Sequence, residues 1–434
     1  MKMSVLIKLL AVVLMLACLF TFVACDTNPL DMDGVDKNKG NKNDGKEDSN
    51  DSSSDNQDAL EDELDKNRPD SKGLVFKESK DDKGNVLYYN VTGLGDCTDS
   101  VVVIPASYKD APVTRIAPRA FAGTEIERVI IPESVTNIAH HAFTDCEKLV
   151  KVTCPDTLAE MSSHVFAGCK ALEKVYLGKA IKKISASAFE GCTSLKEINI
   201  PDSVEEIGVS AFFDCKSAET LVFGANVTKI EDSAFEGCAK LKIVEIPDTV
   251  TYMGKYVFKD CKGMVMVTLS KGMTEITDGT FYGCSLLQRF EIHDKITVIG
   301  EDAFRGCECI KEMVIPSTIV EVKNRAFFCC YALESIYVPK SVVKWGNFVT
   351  YFCHDLAKWE YEGTLAEWNS IKCMAMPEDE GDEWREVGPN ESLSMYLTIK
   401  APVVKCADGE VDIAEVLKKN GFKTDNITNS DIES

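Results

Sequence analysis

Ten cysteines recur at a fixed spacing of 23 residues, and of the side chains that recur in this chain the thiol can take part in the most kinds of chemistry. A thiol can form a disulfide, bind a metal or act as a nucleophile, depending on its surroundings. At a constant spacing each cysteine lies above its equivalent in the next repeat, and such parallel Cα–Cβ bonds do not suit the torsion angle of a disulfide. We therefore predict buried free thiols with a structural role. The ten are Cys146, Cys169, Cys192, Cys215, Cys238, Cys261, Cys284, Cys307, Cys330 and Cys353.

Eight further cysteines lie outside this register, and four of them are in the C-terminal part of the chain: Cys309, Cys329, Cys373 and Cys406. A disulfide between Cys373 and Cys406 could staple the C-terminal region. Spacing alone does not assign a connectivity, so the disulfide state of all four stays open.

His141 and His164 are also 23 residues apart, with His140 beside the first. Residues one repeat apart occupy the same corner of adjacent turns, so the two imidazoles could stand ~5 Å from one another. Imidazole is a common zinc ligand, but two or three histidines without a carboxylate or thiolate at the same corner form an incomplete site. A metal site is a weak candidate here, and a pair of surface histidines is the prediction.

No other pattern indicates catalysis. Cys353 and His354 are adjacent, and neighbours on an extended chain point apart, so they do not form a nucleophile–base pair. The sequence has no Gly-x-Ser-x-Gly elbow, phosphate-binding loop, His-Glu-x-x-His motif or dinucleotide fingerprint. We predict a protein that is not an enzyme and uses no cofactor. A metal-dependent enzyme is a remote alternative that rests on His141 and His164.

The element that positions these residues is a 23-residue repeat marked by phenylalanine. Nine phenylalanines recur in register with the cysteines, each three residues before one, and Phe121 precedes them one residue out of step. A fixed period of this size predicts a stack of repeated turns. The nine are Phe143, Phe166, Phe189, Phe212, Phe235, Phe258, Phe281, Phe304 and Phe327.

Within each repeat the pattern predicts one short strand and a return path. Ile198 and Ile200 alternate with polar residues, which is typical of a half-buried strand, and Pro201 then ends it. The stretch around each Phe is predicted to form a turn or a short helical segment. One turn buries too little apolar surface to fold alone, so stability must come from stacking. The fold class is an α/β solenoid of about eleven turns, with a parallel β-sheet on one face, turns or short helical segments on the other, and a cap at each end.

The repeat has the frame Ala-Phe-x-x-Cys-x-x-Leu-x-x-Val-x-Ile-Pro-x-Ser-Val-x-x-Ile. This frame resembles the BspA-like class of bacterial leucine-rich repeats, over roughly residues 102–361, and so many copies in phase make chance agreement very unlikely. Residues 90–98 resemble the N-terminal cap of that family, and residues 361–368 resemble its closing turn. The resemblance implies a right-handed leucine-rich repeat coil on a bacterial surface protein.

The N-terminus has the form of a secretory signal. An apolar run extends from Val5 to Ala24, and the small residue before Cys25 resembles a bacterial lipobox, with lipidation on Cys25. The alternative is an uncleaved anchor helix, because the run approaches the ~20 residues that span a bilayer. Both interpretations place the rest of the chain outside the cytoplasm, with the membrane contacted only through the N-terminal anchor.

Composition and repeat boundaries divide the chain into five regions. Residues 26–72 are Asp, Asn, Ser, Lys and Gly with almost no apolar side chains, which predicts a disordered tether. The regions are a signal peptide (1–24), a lipidated Cys with a disordered acidic linker (25–72), an N-terminal cap (73–120), the leucine-rich repeat solenoid (121–361), and a C-terminal cap with a small appended region (362–434).

The net charge of −22 restricts the partners. Such a charge opposes nonspecific binding to nucleic acid and to anionic lipid headgroups, so no nucleic-acid partner is predicted.

The outward positions of the predicted strands stack into two columns, and such a strand face is the usual recognition surface of a solenoid. These positions differ from turn to turn, whereas the inward positions nearly repeat. Tyr176, Val222, Ile243 and Met266 are predicted to form an exposed apolar and aromatic strip. The alternative is a face that merely tolerates good β-formers. The predicted binding residues are Lys151, Lys174, Tyr176, Glu197, Asn199, Thr220, Val222, Ile243, Glu245, Met266, Arg289, Glu291, Val314 and Tyr337.

The leading functional hypothesis is a cell-surface protein that binds a macromolecule through this face without catalysis. The resemblance implies adhesion, with a protein or glycan of a host matrix, a host cell or another bacterium as the partner. The alternative is a structural stalk of the cell envelope, in which the repeats only supply length.

Overall fold

The computed structural model describes residues 68–371, 373–375, 385–387 and 403–412. They belong to one compact unit. The predicted signal segment and Cys25 lie outside the described residues, as do nearly all of the predicted linker and most of the appended region. Among the described residues, no helix is both long and apolar enough to cross a bilayer.

The described chain is a parallel β-solenoid of about twelve turns at the 23-residue spacing. The sequence predicts one strand per turn, but most turns contain two. One column of strands, which we call the long strands, has three or four residues per turn. The other column, the short strands, has two. Both columns pair in register with residues 23 positions away, as Lys174 does with Lys151 and Glu206 with Lys183.

The long strands run in parallel from the N-terminal region to residue 361, with a further pair beyond it. They are β3 (Val101–Val103), β6 (Arg128–Ile130), β8 (Lys151–Thr153), β10 (Lys174–Tyr176), β12 (Glu197–Asn199), β14 (Thr220–Val222), β16 (Ile243–Glu245), β18 (Met266–Thr268), β21 (Glu312–Val314), β23 (Ser335–Val338), β25 (Lys358–Tyr361), β28 (Val403–Cys406) and its antiparallel partner β29 (Gly409–Asp412).

The short strands follow the long ones in each turn. They are β7 (Asn137–Ile138), β9 (Glu160–Met161), β11 (Lys183–Ile184), β13 (Glu206–Ile207), β15 (Lys229–Ile230), β17 (Tyr252–Met253), β19 (Glu275–Ile276), β20 (Val298–Ile299), β22 (Glu321–Val322) and β24 (Lys344–Trp345).

The remaining elements lie toward the two ends of the described chain. An antiparallel hairpin, β1 (Val75–Lys80) and β2 (Val86–Gly93), pairs with β5 (Ala111–Ile116), which also carries β4 (Ser107–Tyr108). Because β5 pairs with β7 and β3 pairs with β6, the regular pairing already begins within residues 73–120. A helix, α1 (Leu365–Asn369), follows β25, and β26 (Cys373–Ala375) pairs with β27 (Arg385–Val387).

The stretch around each Phe is a turn and not a short helical segment, so of the two predicted alternatives the turn is confirmed, and the solenoid is β and not α/β. Ser187 and Gly191, which flank Phe189, have positive φ values of 54° and 71°, and such residues interrupt a right-handed helix. The Phe189 N–H donates to the Ala211 carbonyl of the next turn at 2.8 Å, so the backbone bonds across turns instead of along a helix. Within the described residues, α1 is the only α-helix, and a capping box of Thr364 and Glu367 starts it.

The phenylalanines form one continuous stack in the core. From Phe121 to Phe327, each ring lies 5.1–6.1 Å from the next, centroid to centroid, with nearly parallel planes, and all are buried. Phe121 joins the stack despite its spacing of 22 residues.

The repeated thiols form a second ladder beside the rings. Each Sγ donates to the carbonyl of the Phe 26 residues earlier, as Cys238 does to Phe212 at 3.3 Å, and the Cys146 thiol bonds in the same way to Phe121. The ten thiols are free, and all but Cys353 are buried. The ladder therefore satisfies one backbone acceptor per turn with a side chain small enough for the corner.

Candidate binding face

The outward side chains of the long strands form the candidate site. On β12, β14 and β16 the first and third residues are exposed while the middle one is buried, because side chains of a strand alternate between its two sides. Register pairing then stacks the outward residues into the two predicted columns, with Glu197 beside Thr220 and Asn199 beside Val222.

Three apolar residues lie on adjacent strands near the middle of this face, Ile243 and Met266 in the first column and Val222 in the second, and we call them the central patch. Ile243 pairs in register with Met266, and Val222 lies on the preceding strand, β14. Val222 is 56% exposed and Ile243 39%, while Met266 is half-buried. Glu197, Asn199, Thr220 and Glu245 are exposed around them. An apolar centre inside a polar rim is the usual anatomy of a protein interface.

Tyr176 does not belong to this patch, which corrects the predicted four-residue strip. The strand β12, with exposed Glu197 and Asn199, separates Tyr176 from Val222. The ring of Tyr176 instead lies 5.5 Å from the Lys151 ammonium, which is a cation–π distance. Each turn adds one long strand, so Tyr176 lies two strands away from Val222. The strip is therefore interrupted.

Lys151 departs most from the sequence prediction. It points outward from β8, yet it is only 8% exposed, and Arg128 and Lys174 on the adjacent strands are half-buried. These three cations are direct register partners, and we call them the basic column. Periodicity predicts an outward position but says nothing of what lies over it.

The face is less regular toward its C-terminal end. Residues 289–291 form only a single bridge, between Arg289 and Met266, and Arg289 and Glu291 are exposed. Val314 is exposed, while Tyr337 is half-buried, and partial burial together with the nearby Glu362 and Glu360 raises the pKa of the Tyr337 phenol. The predicted face therefore divides into a basic N-terminal part, an apolar centre and a mixed C-terminal part.

The histidine pair lies where its spacing predicts. The rings of His141 and His164 stack at 4.7 Å between centroids, but both residues are half-buried and not simply surface groups. Burial, followed by the charges of His164 and Arg119, lowers the pKa of His141. The described residues contain no group of three or more His, Cys, Asp and Glu side chains placed to hold a metal ion.

Several of the buried thiols are poorly placed for chemistry. Burial raises the pKa of Cys192, Cys284 and Cys307, and it raises that of Cys154, outside the ladder, to about 12. A thiol that stays protonated is a weak nucleophile and a poor metal ligand.

The cysteines outside the ladder differ from one another. Cys406 is a free, half-buried thiol, so the Cys373–Cys406 bridge that the sequence left open is absent. Cys329 is half-buried. Cys309 is buried and disulfide-bonded. The side chain of Cys373 lies outside the described residues.

A charged cluster at the turn corner escaped the sequence analysis. Asp302 is buried, and its carboxylate accepts hydrogen bonds from Arg325 at 2.8 and 2.9 Å. The Arg305 guanidinium lies 4.6 Å from the ring of Phe328 and 5.1 Å from that of Tyr282. The sequence does contain a signal for this charged cluster. Asp302 and Arg325 are 23 residues apart, and they occupy the same position of the repeat as His141 and His164 earlier in the chain.

Solved structures with a similar fold are bacterial leucine-rich repeat proteins. A leucine-rich cell surface protein from Faecalibacterium prausnitzii is 24% identical over 70% of this chain and 98% of its own, with a TM-score of 0.41. A leucine-rich repeat protein from Bacteroides ovatus is 25% identical over 70% and 96%, with a TM-score of 0.38. The pneumococcal vaccine antigen PcpA is 16% identical over 79% and 97%, with a TM-score of 0.43. At these TM-scores, nothing about the function of this chain follows from the likenesses.

Comparison with protein families gives a firmer result. No curated protein matches the chain significantly. The family described as the BspA type leucine rich repeat region matches residues 114–242 and 228–357, which together exceed half of the sequence. The phenylalanine stack, the thiol ladder and this match have one explanation: the chain belongs to the BspA-type leucine-rich repeat family.

Proposed function

We propose that this chain is a bacterial cell-surface protein that binds a macromolecular partner through the outward face of its long strands, without catalysis. The observation that supports the proposal is the central patch of Val222, Ile243 and Met266 on adjacent long strands, in which Val222 and Ile243 are exposed inside a polar rim. Exposed apolar groups of this kind are costly on a soluble surface unless a partner covers them.

The chemistry of the patch favours a protein or a glycan as the partner. A flat face with apolar side chains and adjacent carboxylates and amides can pack against apolar groups and bind polar ones together. The net charge of −22 disfavours nucleic acid. Adhesion to a host matrix, a host cell or another bacterium is the biological role that the family resemblance implies.

The proposed location is the outer surface of a bacterium, with lipid attachment at Cys25. The apolar run that ends at Ala24 and the small residue before Cys25 support it. Metabolic labelling with an alkyne fatty acid should mark the parent chain and leave Cys25→Ala unmarked. Label that persists in the variant would exclude this anchor.

The binding proposal is tested by substitution within the patch. Val222→Asp combined with Ile243→Asp should abolish capture of matrix proteins, host cells, bacterial surfaces or glycans that the parent chain captures. The matched control is Tyr252→Asp combined with Val343→Asp, because both are exposed apolar residues that lie outside the long strands. Equal loss in both variants, or binding that survives the first, would refute the proposal for this face.

A structural stalk is the second candidate, and the uninterrupted core favours it. Phe121 to Phe327 form one stack without a gap, which is what a spacer of fixed length requires. If the parent chain captures none of these targets while its removal alters envelope spacing in electron micrographs, the stalk is the better account.

A further inference from the structure

The basic column of Arg128, Lys151 and Lys174 stands out in a chain with a net charge of −22. Its members are register partners on the adjacent strands β6, β8 and β10. Like charges directly opposite one another on a sheet are destabilising, and an anion laid across them reverses the effect. The column therefore favours an occupant with several carboxylates.

Lys151 supplies a second observation, independent of the charge pattern. It is only 8% exposed, although it points away from the core, and the Tyr176 ring lies 5.5 Å from its ammonium. An ammonium withdrawn this far from water needs compensating polar or anionic groups close by. On the two long strands that follow the basic column, Glu197 and Thr220 occupy the positions equivalent to Lys151 and are exposed. The burial of Lys151 is therefore local to the basic end of the face.

The chain itself carries a segment of matching chemistry next to this end. Glu61, Asp62, Glu63 and Asp65 place four carboxylates within five residues, just before the first described residue, Arg68. Leu60 precedes these carboxylates and Leu64 lies among them. Apart from Ala59, these two leucines are the only apolar residues between positions 36 and 67.

The point at which the described chain begins makes the contact geometrically possible. The Ser71 N–H donates to the Val103 carbonyl at 3.0 Å, and the Ser71 hydroxyl accepts from the Val103 N–H at 3.0 Å. The chain thus enters beside β3, whose Val101 pairs with Arg128 at the start of the basic column.

The distances are short enough. Strands are ~4.8 Å apart, so Lys174 lies about 14 Å from β3. The eight residues from Ser71 back to Glu63 can span up to ~26 Å.

We propose that the acidic segment of residues 60–65 docks on the basic column of its own chain, with its carboxylates against Arg128, Lys151 and Lys174. Docking would cover the basic end of the long-strand face and leave the central patch open. The inference does not depend on whether the central patch binds a partner.

Zero-length cross-linking of the parent protein tests the contact directly. A carbodiimide joins a lysine amine to a carboxylate only when the two touch. We expect Lys151 or Lys174 to be joined to Glu61, Asp62, Glu63 or Asp65, and the yield to fall at high salt because the contact is electrostatic. Mixing ¹⁵N-labelled and unlabelled protein separates links within a chain from links between chains. The absence of these links, or links only between chains, would overturn the proposal.

Proteolysis provides a second readout with a control inside the tether. A Glu-specific protease can cut after Glu61 and Glu63 in the proposed docked segment and after Glu47 upstream of it. In the variant Lys151→Glu/Lys174→Glu, we expect the rate of cutting at Glu61 and Glu63, relative to that at Glu47, to rise about tenfold. A change of this size is what the loss of a few surface ion pairs acting together would produce.

The matched control is Lys271→Glu/Lys295→Glu, since both lysines are exposed and the change in charge is the same. It should leave the ratio of cutting rates unchanged. A ratio that is equal in the parent and the first variant, or that rises as much in the control, would contradict docking on the basic column. If Lys151→Glu/Lys174→Glu has a lower melting temperature than the parent, the cross-linking result on the unsubstituted chain decides.

Discussion

The inward and outward sides of the same strands follow different rules. On β16, Val244 is fully buried, and every turn places an apolar side chain at its position, while its neighbours Ile243 and Glu245 are exposed and have no fixed counterpart in other turns. The inward side must match the turn above and below, so packing restricts its residues. The outward side is free of that constraint. Residues that break the repeat are therefore the ones to examine for function.

The largest expected effect concerns the thiol ladder at alkaline pH. Burial raises the pKa of Cys192, Cys284 and Cys307, so the folded state holds protons that the unfolded state releases above its ordinary pKa of about 8.5. Stability is thus retained below that pH and lost as pH rises above it, by up to ~1.4 kcal/mol per pH unit for each such thiol.

Urea unfolding at pH 7.5 and 9.5 measures this loss. The variant Cys192→Ala/Cys284→Ala should lose less stability than the parent between the two pH values, because two of the titrating groups are gone. If the urea midpoint of the parent is the same at both pH values, the buried thiols of the ladder do not have the raised pKa values that the structure implies.

Removing one ring should have the next largest effect. Phe235 is fully buried between Phe212 and Phe258, 5.5 Å from each, so Phe235→Ala leaves a cavity and should cost about 3–5 kcal/mol. The urea midpoint measures the loss. Tyr252→Ala, an exposed aromatic of similar size, is the control and should change it by less than about 0.5 kcal/mol. Similar costs for the two would contradict the division into inward and outward roles.

The single thiol-to-carbonyl bond should contribute less. Cys238 donates to Phe212, and Cys238→Ala removes both the bond and the sulfur, for a loss of about 1–2 kcal/mol. Thr220→Ala on the outward side is the comparison and should be nearly neutral. A Cys238→Ala protein as stable as the parent would mean that sulfur at this position fills space without a preferred bond.

The smallest effect is expected at the histidine pair on acidification. The pKa of His141 is lowered by burial and by the charges of His164 and Arg119, so the unfolded state binds a proton first as pH falls below about 6.5. Stability should therefore decline below that pH. For this half-buried pair the loss should stay below about 0.5 kcal/mol. Comparing the melting temperature of the parent with that of His141→Ser at pH 7.5 and pH 5.5 measures it, and a steeper decline in the variant would contradict this origin.

Most of the fold could be predicted because one constraint is repeated. The Phe and Cys periods fix stacking, burial and register, and the 23-residue spacing places His141 and His164 beside each other at 4.7 Å. The sequence did not decide between a turn and a short helical segment around each Phe, because residues such as Ser187 adopt positive φ, which composition does not reveal.

The candidate site was less predictable for a related reason. Alternation shows which residues point outward, but not which of them are covered. Tyr176 and Val222 fall on strands separated by β12, and Lys151 is buried by groups that the repeat does not specify. Contacts between equivalent positions of adjacent turns leave a periodic signal, whereas contacts made by groups that do not repeat leave none.

The most direct test of the two roles compares neighbouring residues on one strand. Ile243→Asp and Val244→Asp make the same substitution on opposite sides of β16, at an exposed and a buried position. Urea midpoints and partner capture should be measured on both proteins. We predict that Val244→Asp loses more than about 3 kcal/mol of stability, because it buries an uncompensated carboxylate, while Ile243→Asp keeps its midpoint and loses capture. An Ile243→Asp protein that is equally destabilised, or one that is stable and still captures its partner, would contradict the separation of structure and binding between the two sides of the strand.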